Sequence, residues 1–322
     1  MWCNKCNIET NDTICPLCGA ETIEDLPVEI YWCEHCRTPI IQTSIQADKG
    51  TCPLCKRKTK YLTADLRPVF PEERLLIEIL LKKKPNEYIE KSVWASNNRY
   101  YVDGKSFIIS NNLYQSIDAA EIVELLEQNR QQNSYEYFDK HMTTFVMANQ
   151  NRLNYLIDEA HSFIRNAAQK FPEERIVVSF SGGKDSTVTA DLAVKALSNP
   201  SLVHIFGDTT LEFPSTIEYA HRFRDSHPDA IFQIAKNDEQ DFYDVCEDIG
   251  PPARMMRWCC SMFKTGPITR VINSLYRSQQ ILTFYGIRKS ESVSRSKYNR
   301  IEDSADAVKI QQLTVASPIF FW

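Results

Sequence analysis

Residues 176–197, IVVSFSGGKDSTVTADLAVKAL, run from a strand into a helix through one short turn, and this junction strongly constrains the fold. At such a helix start several backbone N–H groups lack partners, and the helix dipole favours an anion. Gly182 and Gly183 let the backbone approach oxygen atoms closely, and Lys184 adds a positive charge. The turn therefore predicts a phosphate site, although it is not the G-x-x-x-x-G-K-[ST] motif of γ-phosphate transfer.

From residue 175 onward, apolar strand-like runs alternate with helical patterns. Strands are predicted at 175–180, 201–208, 230–235 and 281–287, and helices include 186–198, 215–226 and 264–277. Strands that are apolar throughout are typical of a parallel sheet with helices on both faces. We therefore predict an α/β domain over residues 149–322, with its ligand at the carboxyl ends of the strands.

Eight of the eleven cysteines lie in the first 60 residues, in four C-x-x-C pairs. Each half of this segment begins with Trp-Cys-x-x-Cys and ends with Cys-Pro-Leu-Cys. Two such pairs supply four thiolates to a tetrahedral metal without needing a hydrophobic core. The sequence predicts a double zinc ribbon over residues 1–61, with iron in a rubredoxin-like site as the alternative. The predicted ligands are Cys3, Cys6, Cys15 and Cys18 in the first ribbon and Cys33, Cys36, Cys52 and Cys55 in the second.

The sequence of residues 62–148 predicts a small α+β module of undetermined function. PEERLLIEILLKKK has a helical apolar stripe, and NRYYVDGKSFIIS predicts two strands around Asp103 and Gly104 in a type I′ turn. SIDAAEIVELLEQNRQQ predicts an amphipathic helix with a serine cap. A further helix across 149–170 leads into the α/β domain.

The net charge of −5 predicts no general affinity for nucleic acid, but the charge is unevenly distributed. Residues 251–300 contain ten Lys or Arg and one acidic residue, Glu291, which gives +9 and leaves −14 for the remainder. Such a segment in an otherwise acidic chain indicates that an anion binds there.

The stretch at 181–186 matches the PP-loop of the ATP pyrophosphatase superfamily, the adenine nucleotide α-hydrolases, and the chain resembles its branch of phosphoadenosine phosphosulfate (PAPS) and adenosine phosphosulfate (APS) reductases. Three further stretches within about 175–322 carry this resemblance. FGDTTLEFPSTIEYA matches through Asp208, Thr209, Glu212, Pro214 and Thr216, with Thr210 where glycine is usual, so a different loop backbone is expected. YGIRKSESVSR matches through Gly286, Ile287, Arg288, Ser290 or Ser292, and Arg295. WCCSMFKTGPITRVI resembles the reductases that carry a [4Fe–4S] cluster, through Cys259, Cys260, Lys264, Pro267, Ile268 and Arg270.

The resemblance implies an adenine nucleotide (ATP, APS or PAPS) as ligand and Lys184 and Asp185 as catalytic residues. The nucleotide-binding residues are expected to be Ser179, Ser181, Gly182, Gly183, Lys184, Asp185, Ser186, Asp208, Thr209, Gly286 and Arg288. Arginine forks match phosphate and sulfate oxygens. The remaining anionic groups are therefore expected at Arg254, Arg257, Lys264, Arg270, Lys289 and Arg295. Asp208 either caps a helix or, beside Asp185, holds Mg²⁺ or the ribose.

Adjacent Cys259 and Cys260 cannot easily bond to each other, and Arg257 and Lys264 nearby are expected to lower their pKa values. They are candidate catalytic nucleophiles or cluster ligands, with two inert buried thiols as the alternative. A [4Fe–4S] cluster needs four cysteines. Outside the ribbons only Cys246 remains, and it is expected in the core.

In the reductases that the chain resembles, a second C-x-x-C lies beyond the strand and tryptophan expected in ASPIFFW, and a cysteine on a mobile tail attacks sulfur. Neither follows Cys260 here. The apolar PIFFW end suggests an edge that needs covering, so we expect a truncated domain, with a complete cluster only in a longer chain.

The chain has no 18-residue apolar run and no signal peptide, so a cytoplasmic protein with no membrane partner is expected. The leading hypothesis is a PAPS/APS-reductase-like enzyme that reduces activated sulfate to sulfite with an electron donor such as thioredoxin. The alternative is an ATP pyrophosphatase that adenylates an acceptor for tRNA thiolation or DNA phosphorothioation. A third is a nucleotide-binding module without catalysis. The ribbons are expected to serve as a scaffold or to dock a nucleic acid or a protein.

Overall fold

The computed structural model describes residues 2–3, 6, 8–10, 12–22, 28–43, 49–110, 118–253, 255–293, 295–303 and 313–322. The chain divides into two compact units, Met1–Tyr155 and Leu156–Trp322. The predicted three-part division at 1–61, 62–148 and 149–322 is finer than this and stays a prediction.

The second unit contains a six-stranded sheet of mainly parallel strands, which confirms the predicted α/β class. The sheet order is β12-β11-β10-β13-β15-β14, and only β14 runs antiparallel to its neighbour. Its strands are β10 (Ile176–Phe180), β11 (Val203–Asp208), β12 (Ile231–Lys236), β13 (Ile281–Phe284), β14 (Ile301–Asp303) and β15 (Leu313–Ala316). Because β11 and β12 lie on one side of β10 and β13 on the other, the strand order reverses between β10 and β13.

Side chains from both faces of β10 are buried, which explains its continuous apolar sequence. Ile176, Val178 and Phe180 pack in one core with helices on that side, and Val177 packs in a second core on the opposite face. The helices of this unit are α4 (Gln150–Ala168, which begins in the first unit), α5 (Lys184–Leu197), α6 (Pro214–Ser226), α7 (Phe242–Ile249) and α8 (Gly266–Tyr276). Helical residues Trp258–Cys260 and a π-helical turn at Ser261–Thr265 precede α8.

The first unit holds both cysteine-rich repeats and an α+β region. Its strands are β1 (Trp2–Cys3), β2 (Ile8–Glu9), β3 (Val28–Cys33), β4 (Thr38–Thr43), β5 (Lys60–Thr63), β6 (Arg67–Pro68), β7 (Val93–Ser96), β8 (Arg99–Val102) and β9 (Lys105–Ile108). They form antiparallel sheets of order β1-β2, β4-β3-β5 and β6-β7-β8-β9. Its helices are α1 (Pro71–Leu80), α2 (Ala119–Asn129) and α3 (Ser134–Ala148).

The predicted hairpin turn joins the second ribbon to the α+β region. Asp103 and Gly104 both have positive φ (47° and 78°), as a type I′ turn requires, which confirms that prediction. A Cβ atom on Gly104 would lie 2.4 Å from the Trp32 ring, so only glycine fits against the ribbon here. Arg37 donates two hydrogen bonds to Oδ1 of Asp103, at 3.0 and 2.9 Å.

Three local predictions need correction. Helix α2 is capped by Asp118, whose side chain accepts from Ala120 N, whereas Ser116 lies outside the described residues. Helix α3 (Ser134–Ala148), which lies between α2 and α4, was not predicted. The last strand is Leu313–Ala316 and not ASPIFFW, because Ile319 and Phe320 instead bury their side chains within the domain. The expected open apolar edge at these two residues is therefore covered.

Among the described residues, the structure contains no helix with the length and apolar character that crossing a membrane requires.

Candidate active site

The turn at 181–186 lies at the carboxyl end of β10, as predicted. Gly182 has φ +72°, and α5 begins directly after Gly183. The Ser186 hydroxyl accepts from the Ser181 backbone N–H at 3.1 Å and donates to the Gly183 carbonyl at 2.9 Å. These bonds fix the turn from inside, and the N–H groups of the first helical turn have no intrahelical partner. The turn thus has the geometry of a cradle for an anion.

Glycine is required at 286, because this residue approaches the backbone of the turn from across the strand-order reversal. A Cβ atom on Gly286 would lie 2.6 Å from the carbonyl carbon and oxygen of Asp185 and 2.7 Å from Ser186 N. Backbone atoms cannot move aside as a flexible side chain can. The loop after β13 therefore fixes the position of the helix start after β10.

Arg288 reaches the same turn. Its Nε and Nη2 both lie 3.2 Å from Oδ2 of Asp185, and the Lys184 ammonium lies 3.6 Å from that oxygen. Asp185 is largely buried, whereas the Lys184 side chain is 78% exposed. The site thus holds two cations around one carboxylate, with the lysine accessible to a ligand.

Asp208 ends β11, at the same edge of the sheet. Its carboxylate accepts from Thr210 N at 2.9 Å and pairs with Lys236 at 3.5 Å. Glu212 accepts from the N–H and the hydroxyl of Thr209, at 2.9 and 2.7 Å. Asp208 and Asp185 are each neutralised by a cation of this chain, so a shared Mg²⁺ is not supported.

Thr210 occupies the position where the resembling reductases usually have glycine. Its φ is +64°, which a β-branched residue rarely adopts and glycine adopts readily. The hydroxyl of Thr210 accepts from Phe242 N, at the start of α7, at 2.9 Å. The threonine therefore adds a bond between this loop and α7 that glycine lacks.

Some of the predicted anion-binding residues contact other residues of this domain, and others are exposed. Arg295 pairs with Glu291, whose carboxylate also lies 4.0 Å from Arg288 Nη2. Arg270 donates to the Lys236 carbonyl at the end of β12, at 3.4 Å. Lys289 follows Arg288 directly, and its backbone N–H donates to the Phe320 carbonyl. Arg257 and Lys264 are exposed, and Arg254 lies outside the described residues.

Two residues of this edge were missed by the sequence analysis, although each carried a signal. Lys236 is the charged residue at the carboxyl end of an apolar strand, and it pairs with Asp208. Glu291 is the single acidic residue in the basic segment, and it joins Arg288 to Arg295.

The cysteine pair differs from the prediction. Burial and the neighbouring Cys260 thiol raise the pKa of Cys259 above its ordinary value, and Arg257 opposes this only weakly. The expected lowering of the pKa is therefore wrong for Cys259. Both thiols are half-buried, as is Cys246, which was expected in the core. The Trp258 ring packs between Phe242 and Phe263, at centroid distances of 5.2 and 6.1 Å.

The two groups of four cysteines have the geometry of metal sites, and they fit the predicted zinc ribbons. In each group all four sulfurs lie within 4.8 Å of one another. The Sγ–Sγ distances are 3.5 Å for Cys3 and Cys18 and 3.6 Å for Cys33 and Cys55. A tetrahedron with Zn–S bonds of about 2.3 Å has edges of about 3.8 Å. Within the described residues, groups of three or more metal-ligating side chains occur only in these two places.

A parallel sheet, a glycine turn before α5 and charged side chains at the strand ends together make this edge a candidate nucleotide-binding site. Residues 175–322 match the family model of the phosphoadenosine phosphosulfate reductase domain. This part of the chain is therefore similar to phosphoadenosine phosphosulfate reductase domains.

Two curated relatives come from Methanocaldococcus jannaschii, and both are described as uncharacterized. Protein MJ0066 is 32% identical over 188 residues, which is 58% of this chain and 37% of the relative. Protein MJ0973 is 31% identical over 155 residues, which is 48% of this chain and 36% of the relative. The matched region thus spans little more than a third of each relative.

Solved structures with partial likeness include a PAPS reductase from Candida auris in a phosphate complex (18% identity, 54% of this chain, 80% of that chain, TM-score 0.38). An NH3-dependent NAD synthetase from Campylobacter jejuni is 14% identical over 52% of this chain and 66% of that chain (TM-score 0.35). An FMN adenylyltransferase from Candida glabrata is 15% identical over 53% of this chain and 52% of that chain (TM-score 0.41). At these TM-scores the likenesses do not bear on function.

Replacing Gly286 with alanine should destabilise the second unit, because the new Cβ atom meets the Asp185 backbone at 2.6 Å. We expect the free energy of unfolding to fall by about 1–3 kcal/mol in denaturant titrations. Gly207→Ala is the matched control, since its Cβ atom would make an ordinary 3.5 Å contact with Ile268. Equal stability of the two variants would show that the close approach at Gly286 is not required.

Proposed function

We propose that the second unit binds an adenine nucleotide at residues 181–186 and acts as a PAPS- or APS-reductase-like enzyme. The observation that carries this proposal is the close approach of Gly286 to the turn, with Arg288 on Asp185. Two segments about a hundred residues apart meet at one anion cradle. The match of this region to the PAPS reductase domain supports the reaction class.

The nucleotide's phosphoryl oxygens bind the N–H groups at the start of α5, and Lys184 closes over them. Asp185 holds Arg288 beside the cradle, so that its guanidinium is already oriented when the ligand arrives. The carboxylate of Glu291 lies near Arg288 and also pairs with Arg295. Cations that are positioned before binding cost less ordering on association. Arg257, Lys264, Arg270 and Lys289 then supply the remaining positive charge around a sulfate or phosphate.

In the reductase reaction a thiolate of Cys259 or Cys260 attacks the sulfur of the activated sulfate. An S–S bond forms, the S–O bond breaks, and the adenine nucleotide leaves with the electron pair. A dithiol donor of the thioredoxin type then attacks the cysteine sulfur and releases sulfite. The donor's second thiol frees the cysteine, and the donor becomes a disulfide. An external dithiol is needed because adjacent cysteines do not easily bond to each other.

The raised pKa of Cys259 favours a second candidate function that needs no thiolate. In this candidate the cradle holds ATP, the bond between its α and β phosphates breaks, and an acceptor is adenylated with release of pyrophosphate. Such activation prepares sulfur insertion into tRNA or into the DNA backbone. The third hypothesis, binding without catalysis, would use the same cradle.

The residues present do not fit a [4Fe–4S] cluster. Only three of the eleven cysteines lie outside the two ribbons, and a cluster needs four ligands. Cys246 does not form a ligand group with the adjacent pair. A cluster would need ligands from outside this sequence, and no step of the proposed reaction is routed through one.

Lys184→Ala should weaken the binding of ATP, APS or PAPS by about tenfold or more, because a charge-assisted contact to phosphate is lost. Titration calorimetry of the zinc-loaded chain measures this loss. Lys195→Ala is the matched control, since Lys195 lies on the same helix but pairs with Asp191 at its far end. We expect the control to bind as the wild type does.

The products separate the candidate functions. Sulfite release from APS or PAPS with thioredoxin supports the reductase; with Cys259 as the nucleophile, its rate should still be rising where an ordinary thiol has ionised, because burial raises the pKa of Cys259. Release of pyrophosphate from ATP, stimulated by a nucleic acid, supports the adenylating enzyme. Binding without either product supports the hypothesis of a nucleotide-binding module without catalysis. The absence of binding heat with ATP, APS and PAPS would contradict the proposal.

We further propose that the two cysteine groups each hold zinc, with a structural role. In each group four sulfurs lie within 4.8 Å of one another, and four thiolates this close repel one another, so a bound cation is needed to keep them together. Each site is closed by its four sulfurs and offers no open position for catalysis.

Metal analysis of the purified chain should find two zinc ions, and Cys52→Ser should remove one of them. Cys246→Ser is the control, because this thiol lies outside both groups, and it should keep both ions. Iron in place of zinc, or two zinc ions retained by Cys52→Ser, would refute the assignment.

A further inference from the structure

The two ribbons are built alike but carry opposite charge. The closing hairpin of the first ribbon reads Cys-Pro-Leu-Cys-Gly-Ala-Glu-Thr, and that of the second reads Cys-Pro-Leu-Cys-Lys-Arg-Lys-Thr. Isolated bridges pair Ile14 with Glu21 in the first and Thr51 with Lys58 in the second. The backbone is therefore the same, while Gly-Ala-Glu is replaced by Lys-Arg-Lys.

Lys56 is in a conformation that the fold alone would assign to glycine. Its φ is +61°, and its counterpart Gly19 has φ +69°. A side chain at a left-handed position carries a conformational cost of about 1 kcal/mol relative to glycine. The turn after Cys55 could have glycine at position 56, as the turn after Cys18 has Gly19. The lysine side chain is thus present at a cost to the fold.

The positive charges of this hairpin are exposed and mostly uncompensated. Lys56, Arg57, Lys58 and Lys60 are all exposed. Among the described residues, only Lys60 forms an ion pair, with Glu34, and both side chains are largely exposed (76% and 68%). Such a pair contributes little to stability. Arg57 contacts His35 at 2.9 Å, which adds no negative charge.

Next to these cations lies an exposed aromatic ring. Tyr61 is 59% exposed, although it packs edge-on against Tyr31 at a centroid distance of 5.8 Å. Lys58 and Lys60 are two residues apart in extended chain, so they share a face and lie about 7 Å apart, on the scale of successive phosphates in an extended strand, whereas Tyr61 lies on the opposite face. Because β5 is an edge strand of its sheet, a nucleic-acid strand along that edge can contact side chains of both faces. Cations beside a stacking ring are the features by which single-stranded nucleic acids are held without sequence preference.

We propose that the second ribbon's basic hairpin, residues 56–61, binds the phosphodiester backbone of a single-stranded nucleic acid. Lys56, Arg57, Lys58 and Lys60 contact phosphates, and Tyr61 stacks on a base. The first ribbon, with Gly19, Ala20 and Glu21 in place of the first three cations, takes no part. This surface lies in the first unit and does not depend on the proposed nucleotide site.

The test exchanges one ribbon's turn for the other's. K56G/R57A/K58E gives the second ribbon the turn of the first, which this chain already folds around four cysteines. K82E/K84E is the control, because it changes the net charge by the same four units at exposed lysines after α1. Zinc content and thermal unfolding establish that each variant keeps both ribbons. Calorimetry with ATP reports separately on the nucleotide site.

Binding is measured by fluorescence anisotropy with a labelled RNA of mixed sequence, and with a DNA of the same sequence to distinguish the two sources of backbone. At low salt K56G/R57A/K58E should bind about tenfold more weakly or worse, and the slope of log K against log salt should fall by about 2. K82E/K84E should stay within about twofold of the wild type, and Tyr61→Ala should weaken binding without changing the slope.

Three results would overturn the inference. The first is equal binding by the wild type and K56G/R57A/K58E. The second is an equal loss of affinity in K82E/K84E, which would show that the effect comes from net charge alone. The third is competition by polyglutamate as effective as that by nucleic acid, which would favour an acidic protein as the partner.

Discussion

The close approach of Gly286 to the backbone at Asp185 is the contact on which the candidate active site depends. It joins the loop after β13 to the helix start after β10, at the point where the strand order reverses. Ligands of open α/β sheets bind at such a reversal because the loops on either side diverge and leave a crevice. Here one glycine lets the two loops meet closely enough for Arg288 to reach Asp185.

The remainder of the site follows from the strand ends. Parallel strands bring their carboxyl ends to one edge, so Asp208 and Lys236 pair across neighbouring strands. Thr210 holds its loop to α7, and α7 in turn packs through Phe242 against Trp258, next to the cysteine pair. The cysteine pair, the loop after β11 and the turn after β10 thus lie at one edge of the sheet, where successive contacts hold them.

Much of this organisation could be predicted from the sequence, because its signals are local. The Ser-Gly-Gly-Lys-Asp-Ser turn marks a strand-to-helix junction, the apolar strands mark a sheet covered on both faces, and Asp103 with Gly104 marks a hairpin. The C-x-x-C spacing brings sulfurs together through short turns. Each signal spans few residues and depends on backbone preference or periodicity.

What the sequence did not reveal depends on long-range contacts and burial. The pairing of Arg288 with Asp185 joins residues 103 apart, and no spacing rule predicts it. The pKa of Cys259 was misjudged because charge is visible in sequence while burial is not. The conformation of Thr210 became clear only with its φ angle, and Asp118 replaced a serine as the cap because the helix begins later than its pattern indicated.

We propose that the turn after β10 and the loop after β13 act as one anion cradle. Hydrogen–deuterium exchange with and without saturating ATP, APS or PAPS tests it most directly. We expect slower amide exchange in two separate segments together, residues 181–187 and 285–291, with at least one of the nucleotides. Protection of neither segment by any of them, or of one without the other, would contradict it.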